Sequence, residues 1–123
     1  MNEQKQTQTV IYFAERISYF QNLAQTLDQD NRADEAIFAK VKMNVYDIFK
    51  TIFSVAVKTA GHDEEKAVKF FMSKLQQIPE NWRTALNNAE THGETEKAHI
   101  ERVKLEAVEA IKNEFTRIWE ENT

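Results

Sequence analysis

Apolar residues recur along this chain with helical spacing and few interruptions. Val10, Phe13, Ile17, Phe20, Ala24 and Leu27 are separated by three and four positions in turn. That rhythm places them on one helix face and fits no strand. Ile11, Ala14 and Leu23 widen the face. The pattern predicts a first helix over about 9–27, with residues 1–8 as a frayed start. The polar stretch Asp28-Gln29-Asp30-Asn31-Arg32 then breaks the rhythm. Asn31 has the chemistry of an N-cap for the next helix, with Asp34 in its first turn, where negative charge suits the helix dipole.

The second segment, about 32–60, is more apolar. Lys40, Asn44, Asp47, Lys50, Thr51, Ser54 and Lys58 share an arc of about 120° at 100° per residue. Most of the remaining circumference is aliphatic or aromatic, and Lys42 is the main intruder. Gly61 follows as a C-terminal glycine, with Lys58 in the last turn. A helix this apolar is either the central element of a bundle or is covered by a second chain. The flank holding Tyr46, Phe53 and Val57 is the candidate contact with a second copy. The opposite flank, with Ile37, Ile48 and Val55, is then expected to face the intrachain core. The alternative is a monomer whose second helix is enclosed by the rest of the chain.

The third segment starts at Asp63, a fair N-cap, and carries Ala67, Val68, Phe70, Phe71, Met72, Leu75 and Ile78. Pro79 is expected to end it, because proline disfavours helical geometry at the residue before it. Proline also suits the first position of a new helix, over about 79–91, with Trp82, Ala85, Leu86 and Ala89 on one stripe. Gly93 interrupts the chain. The last segment, about 95–121, has a core face of Ile100, Val103, Ala107, Ala110, Ile111, Phe115, Ile118 and Trp119. Glu101, Lys104, Glu109, Lys112 and Glu120 form its solvated side. The two longest segments each span about 40 Å at 1.5 Å per residue. Rods of similar length with short connections predict one all-α domain over 1–123, an antiparallel four-helix bundle, counted as five helices if the chain breaks at Pro79.

Composition agrees with that fold. The 123 residues include two Gly and one Pro, about 2% together against a usual level of roughly 12%. So few turn formers leave long uninterrupted helices. They also remove glycine-rich phosphate loops, the dinucleotide fingerprint and the glycine-flanked serine elbow. There is no cysteine, which excludes disulfides, thiolate zinc sites and cysteine nucleophiles and fits a cytoplasmic setting. The polar N-terminus shows no signal-peptide core, and no apolar run approaches the ~20 residues of a membrane span. The net charge is −4, with seven basic and seven acidic residues in 1–60 and nine and thirteen in 61–123. Neither half offers a long-range positive field, so neither nucleic acid nor membrane is an expected partner.

Candidate chemistry is sparse. Glu96-Lys97-Ala98-His99 has the Glu-x-x-His spacing of carboxylate-bridged di-iron bundles. Such a site needs a second pair and two further inward acids. The first two helices offer only Glu15 and Asp47 near their middles, and Asp47 lies on the polar arc. The run from Asp28 departs from a calcium loop at Arg32, at Ala33 where glycine is required, and at Ala39 where the bidentate glutamate belongs. His62, His92 and His99 fall at or near helix ends. Ser18, Ser54 and Ser73 lie inside helices, without a turn to expose a nucleophile. No cofactor, metal or catalytic residue is therefore assigned. Trp82 and Trp119 are expected to close the ends of the core rather than to anchor a partner.

In length and architecture the expected bundle is similar to small bacteriocin-immunity proteins, which are cytosolic antiparallel four-helix bundles. The likeness is one of architecture alone. The sequence thus points to a non-enzymatic bundle that acts through protein–protein contact as a homodimer. An immunity- or antitoxin-like binder of another protein is the alternative, and a ferritin-like metal protein a more distant one.

Overall fold

The ends of the helices are set by local hydrogen bonding. In the computed structural model, which describes residues 2–120, the Asn2 side chain accepts from the Lys5 N–H at 3.1 Å. This cap starts α1 (Glu3–Gln29) well before position 9. Asp63 caps α3 (Glu64–Thr91) in the same way, accepting from the Lys66 N–H. Between them lies α2 (Ala33–Ala60), and α4 (Thr95–Glu120) closes the chain. Helix accounts for 92% of the structure, and no strand occurs among the described residues.

Each of the three turns needs a residue at positive φ. Asn31 sits at φ 59°. The Arg32 N–H returns to Leu27 O at 2.8 Å and the Asn31 N–H to Asp28 O at 3.2 Å, which is a Schellman closure of α1. Asn31 therefore ends α1 and does not cap α2. Arg32 takes the cap position without a side-chain cap bond and instead pairs with Glu35 in the first turn. Gly93, at φ 69°, closes α3 with the same motif, through Glu94 N–H to Ala89 O and Gly93 N–H to Glu90 O. Gly61 differs. At φ 62°, ψ −118° it occupies the first central position of a type II′ turn, closed by the Asp63 N–H on Ala60 O.

Helix α3 runs unbroken through Pro79, where a helix break is expected from the sequence. The proline ring is fully buried, and Leu75, whose carbonyl loses its helical donor, is buried beside it. Apolar packing on both sides of position 79 outweighs a local penalty of about 3 kcal/mol. The bundle consequently has four helices rather than five.

The antiparallel order is tied at both ends. The Asn2 N–H donates to Glu64 Oε1 at 2.9 Å, joining the starts of α1 and α3. Lys5 Nζ donates to Trp119 O at 3.3 Å, joining the start of α1 to the end of α4. At the other end Lys40 pairs with Asp28, and Arg102 with Glu90. Helix α2 packs on all three of the others. Its apolar surplus is thereby largely used within the chain.

The core is aromatic at its centre. Phe71 of α3 is fully buried, with its ring 6.2 Å from Phe13 (α1), 6.0 Å from Phe49 and 5.8 Å from Phe53 (α2), and 4.3 Å from Phe115 (α4). Every helix contributes to this one cluster. Towards the α2 start the core shifts to small side chains, with Ala24, Ala36, Ala39, Ala89 and Ala98 all buried.

Two helix faces are rotated from the sequence expectation. On α1, Thr9 is buried while Val10 and Ile11 are about half exposed. The Thr9 hydroxyl donates to Lys5 O at 2.8 Å and accepts from Trp119 Nε1 at 3.0 Å. A hydroxyl with both roles satisfied is tolerated inside. On α4, Ala110 faces solvent, and Val108 takes a core place instead.

Candidate interaction surfaces

The two apolar flanks of α2 are disposed the opposite way from the sequence expectation. Tyr46 and Phe53 are 2% and 3% exposed, and Val57 is half-buried against the core. Tyr46 stacks on Phe20 at 5.7 Å, and Phe53 lies among Phe71, Phe115 and Trp119. Tyr46 and Phe53 are therefore intrachain packing, and Val57 packs against the same core with part of its surface left exposed. Ile37, Ile48 and Val55, expected inside, are 45%, 40% and 44% exposed. Their spacing of eleven and seven sets them within about 20° of one another around the helix. Val41 and Ile52, both half-buried, border the same stripe, which extends along most of α2.

A second surface lies on the other side of α2, where it meets α1. Arg16 places its guanidinium carbon 4.9 Å from the Tyr19 ring centroid, 4.9 Å from Phe20 and 5.8 Å from Tyr46. Lys42 brings its Nζ to 5.6 Å from Phe20. Lys42 thus reaches over a ring while keeping its charge near water, which explains a cation on an otherwise apolar arc. Neither cation has a carboxylate or hydrogen-bond partner among the described residues. Tyr19 is 53% exposed and edge-on to Phe20 at 5.0 Å. The Tyr12 hydroxyl donates to Tyr46 Oη at 3.4 Å. Burial first, and that hydrogen bond next, push the Tyr12 phenol far above its ordinary pKa. The sequence carries a trace of this cluster: Arg16, Tyr19 and Phe20 stand at i, i+3 and i+4, the spacing at which helix side chains meet.

A third feature is an open groove of about 680 Å³ between α3 and α4, floored by Met72, Leu75 and Val108 and rimmed by Lys69, Arg83, Lys112, Glu80 and Glu109. Its rim mixes both charges. Near it, Lys104 pairs with Glu101 at 3.1 Å and lies over the half-buried Trp82 ring at 5.5 Å. Trp119 is buried at the other end of the bundle.

The residues weighed for chemistry are scattered. Glu96 is exposed, and the His99 ring stacks on Phe38 at 4.0 Å and 12°. His92 Nδ1 lies 2.7 Å from Asn88 O at the α3 end. No group of three metal-ligating side chains forms among the described residues. No helix among them is long and apolar enough to cross a membrane. Comparison with family models, with curated proteins and with solved structures gives no match to this chain.

Proposed function

We propose that this is a small, cytoplasmic, non-enzymatic bundle that works through protein–protein contact and pairs with a second copy along α2. The observation that carries this reading is the exposed stripe of Ile37, Ile48 and Val55. Positions 37, 41, 44, 48, 51 and 55 follow a four-three alternation that reads the same in both directions. Antiparallel α2 helices then set Ile37 against Val55 and Val41 against Thr51, with Ile48 beside Asn44, in an isologous two-fold contact.

The strength of that pair follows from the exposure. Fully burying an aliphatic side chain is worth about 1.5–3 kcal/mol, so a side chain that is less than half exposed gains roughly 1 kcal/mol. Six such side chains from two copies, helped by Val41 and Ile52, gain about 6–8 kcal/mol, against an association cost of at least ~4 kcal/mol. The result is a weak, concentration-dependent dimer with a Kd of about a millimolar or more, dissociated at micromolar and partly populated at millimolar protein. Sedimentation equilibrium across that range tests it. The weight-average mass is expected to rise above the 14.4 kDa of one chain, and Ile48→Glu to hold it there. A wild-type mass of one chain at every concentration refutes the proposal.

A further inference from the structure

We propose that the Arg16–Lys42 face of the α1–α2 hairpin docks a carboxylate-rich segment of a partner protein. This site is separate from the α2 stripe. At 100° per residue, Lys42 and Tyr46 lie about 120–160° around the helix from Ile48.

The argument starts from charge. The chain has an excess of acidic residues, 20 against 16, and seven ion pairs involve described side chains. Yet the two half-buried cations that share the Phe20 ring have no carboxylate partner. Two like charges gathered at one ring repel each other, and an incoming anion removes that penalty. Geometry adds to this. Arg16 sets its guanidinium carbon 4.9 Å from the Tyr19 and Phe20 ring centroids and 5.8 Å from that of Tyr46. Its N–H groups make no hydrogen bond to the described residues, and a guanidinium carries the donor fork that matches a carboxylate. Phe20 and Tyr46 are buried and stacked on each other, so the support beneath the fork is rigid and little is lost in ordering it.

The occupant is a protein segment rather than a polyanionic backbone. Two cations make a compact positive spot on an acidic molecule, not a track, and a nucleic acid running past them meets net negative charge. The exposed Tyr19 ring beside the guanidinium adds an aromatic contact, and tyrosine with arginine is the composition of protein-binding hot spots.

Fluorescence anisotropy with a fluorescein-labelled deca-glutamate peptide, at low and at physiological salt, tests the inference. A single-stranded deoxyoligonucleotide of equal charge and a labelled deca-lysine peptide serve as comparators. The glutamate peptide is expected to bind the wild type more tightly than either. Its affinity should fall about tenfold or more in Arg16→Gln/Lys42→Gln. Arg16→Lys should retain part of it, because the charge stays and the fork is lost. Circular dichroism confirms folding, and Lys42→Gln alone provides a milder variant if the double substitution unfolds the chain. Equal binding by wild type and folded variant, no binding by wild type, or tighter binding of the oligonucleotide each overturns the proposal. Ile48→Glu is expected to leave peptide affinity unchanged, so failure of the dimer and failure of this site are read separately. If Arg16→Gln lowers the sedimentation mass instead, the face belongs to a second copy and the inference falls.

Discussion

Removing one oxygen atom from the core tests how the bundle closes at its α1–α4 end. Thr9→Val keeps the side-chain shape and replaces Oγ1 by a methyl group. In the folded protein that oxygen accepts from Trp119 Nε1 at 3.0 Å, at a residue with 1% exposure. The substitution strands the indole N–H, which is itself nearly buried. A buried donor left without a partner costs about 1–3 kcal/mol. The other bond made by the hydroxyl, to Lys5 O, counts for less, because that carbonyl keeps its helical donor. The expected loss in urea unfolding is therefore about 1–3 kcal/mol with an unchanged m-value. Trp119→Phe removes the donor as well as some packing, and in that background Thr9→Val should cost much less. The double-mutant cycle then yields a coupling of about 1 kcal/mol or more. If Thr9→Val is neutral within about 0.5 kcal/mol in both backgrounds, the hydroxyl does not hold α1 to α4 and the reasoning fails.

Three further outcomes follow from the geometry. Phe71→Ala empties the cluster fed by all four helices and should cost about 3–5 kcal/mol in chemical denaturation; a loss under about 2 kcal/mol means the cluster collapses to fill the hole. Because burial raises the Tyr12 pKa in the folded state above its ordinary 10.0, the unfolded chain releases this proton first. Stability should therefore be intact below about pH 10 and decline above it, and Tyr12→Phe should blunt that decline in alkaline unfolding curves. At the turns, a Cβ on Gly61 or Gly93 meets nothing within 4 Å, so backbone strain alone decides. Gly61→Ala should cost about 1–2 kcal/mol, and Asn31→Gly should be neutral or stabilising by up to about 1 kcal/mol, both read as shifts in thermal midpoint.

Helix type and number follow from apolar spacing and from the scarcity of glycine and proline, both of which are local signals. The turns at 28–32, 61–63 and 92–93 are legible for the same reason. What the sequence misassigns depends on partners distant along the chain. Val10 continues the α1 apolar spacing better than Thr9 does, and only the Trp119 indole, at the far end of the chain, makes the threonine the better core residue. Pro79 reads as a break because its local cost is visible, whereas the burial that offsets it is not. Asn31 suits both a helix start and a left-handed helix end, and the return of the Arg32 N–H to Leu27 O settles which.

The two flanks of α2 show why the candidate interface was the hardest element to place. Around a helix with an apolar arc of roughly 200°, either edge can turn inward while the polar arc stays in water. The choice is made by the side on which α3 and α4 fold back over the α1–α2 hairpin, and neither edge of α2 encodes that side. Aromatic content gives a partial clue. Phe53 and Tyr46 meet rings from α1, α3 and α4, while the other edge carries only β-branched aliphatic side chains. Rings bury more area per residue than Ile or Val and gain further from edge-to-face contact. Turning the aromatic edge inward and leaving Ile37, Ile48 and Val55 outside is therefore the lower-energy arrangement for one chain. The exposed remnant is also small enough that a second copy can cover it only weakly. The same logic places Arg16 and Lys42. Rings drawn inward leave Arg16 and Lys42 beside Phe20 at the α1–α2 seam, where neither cation has a carboxylate partner among the described residues.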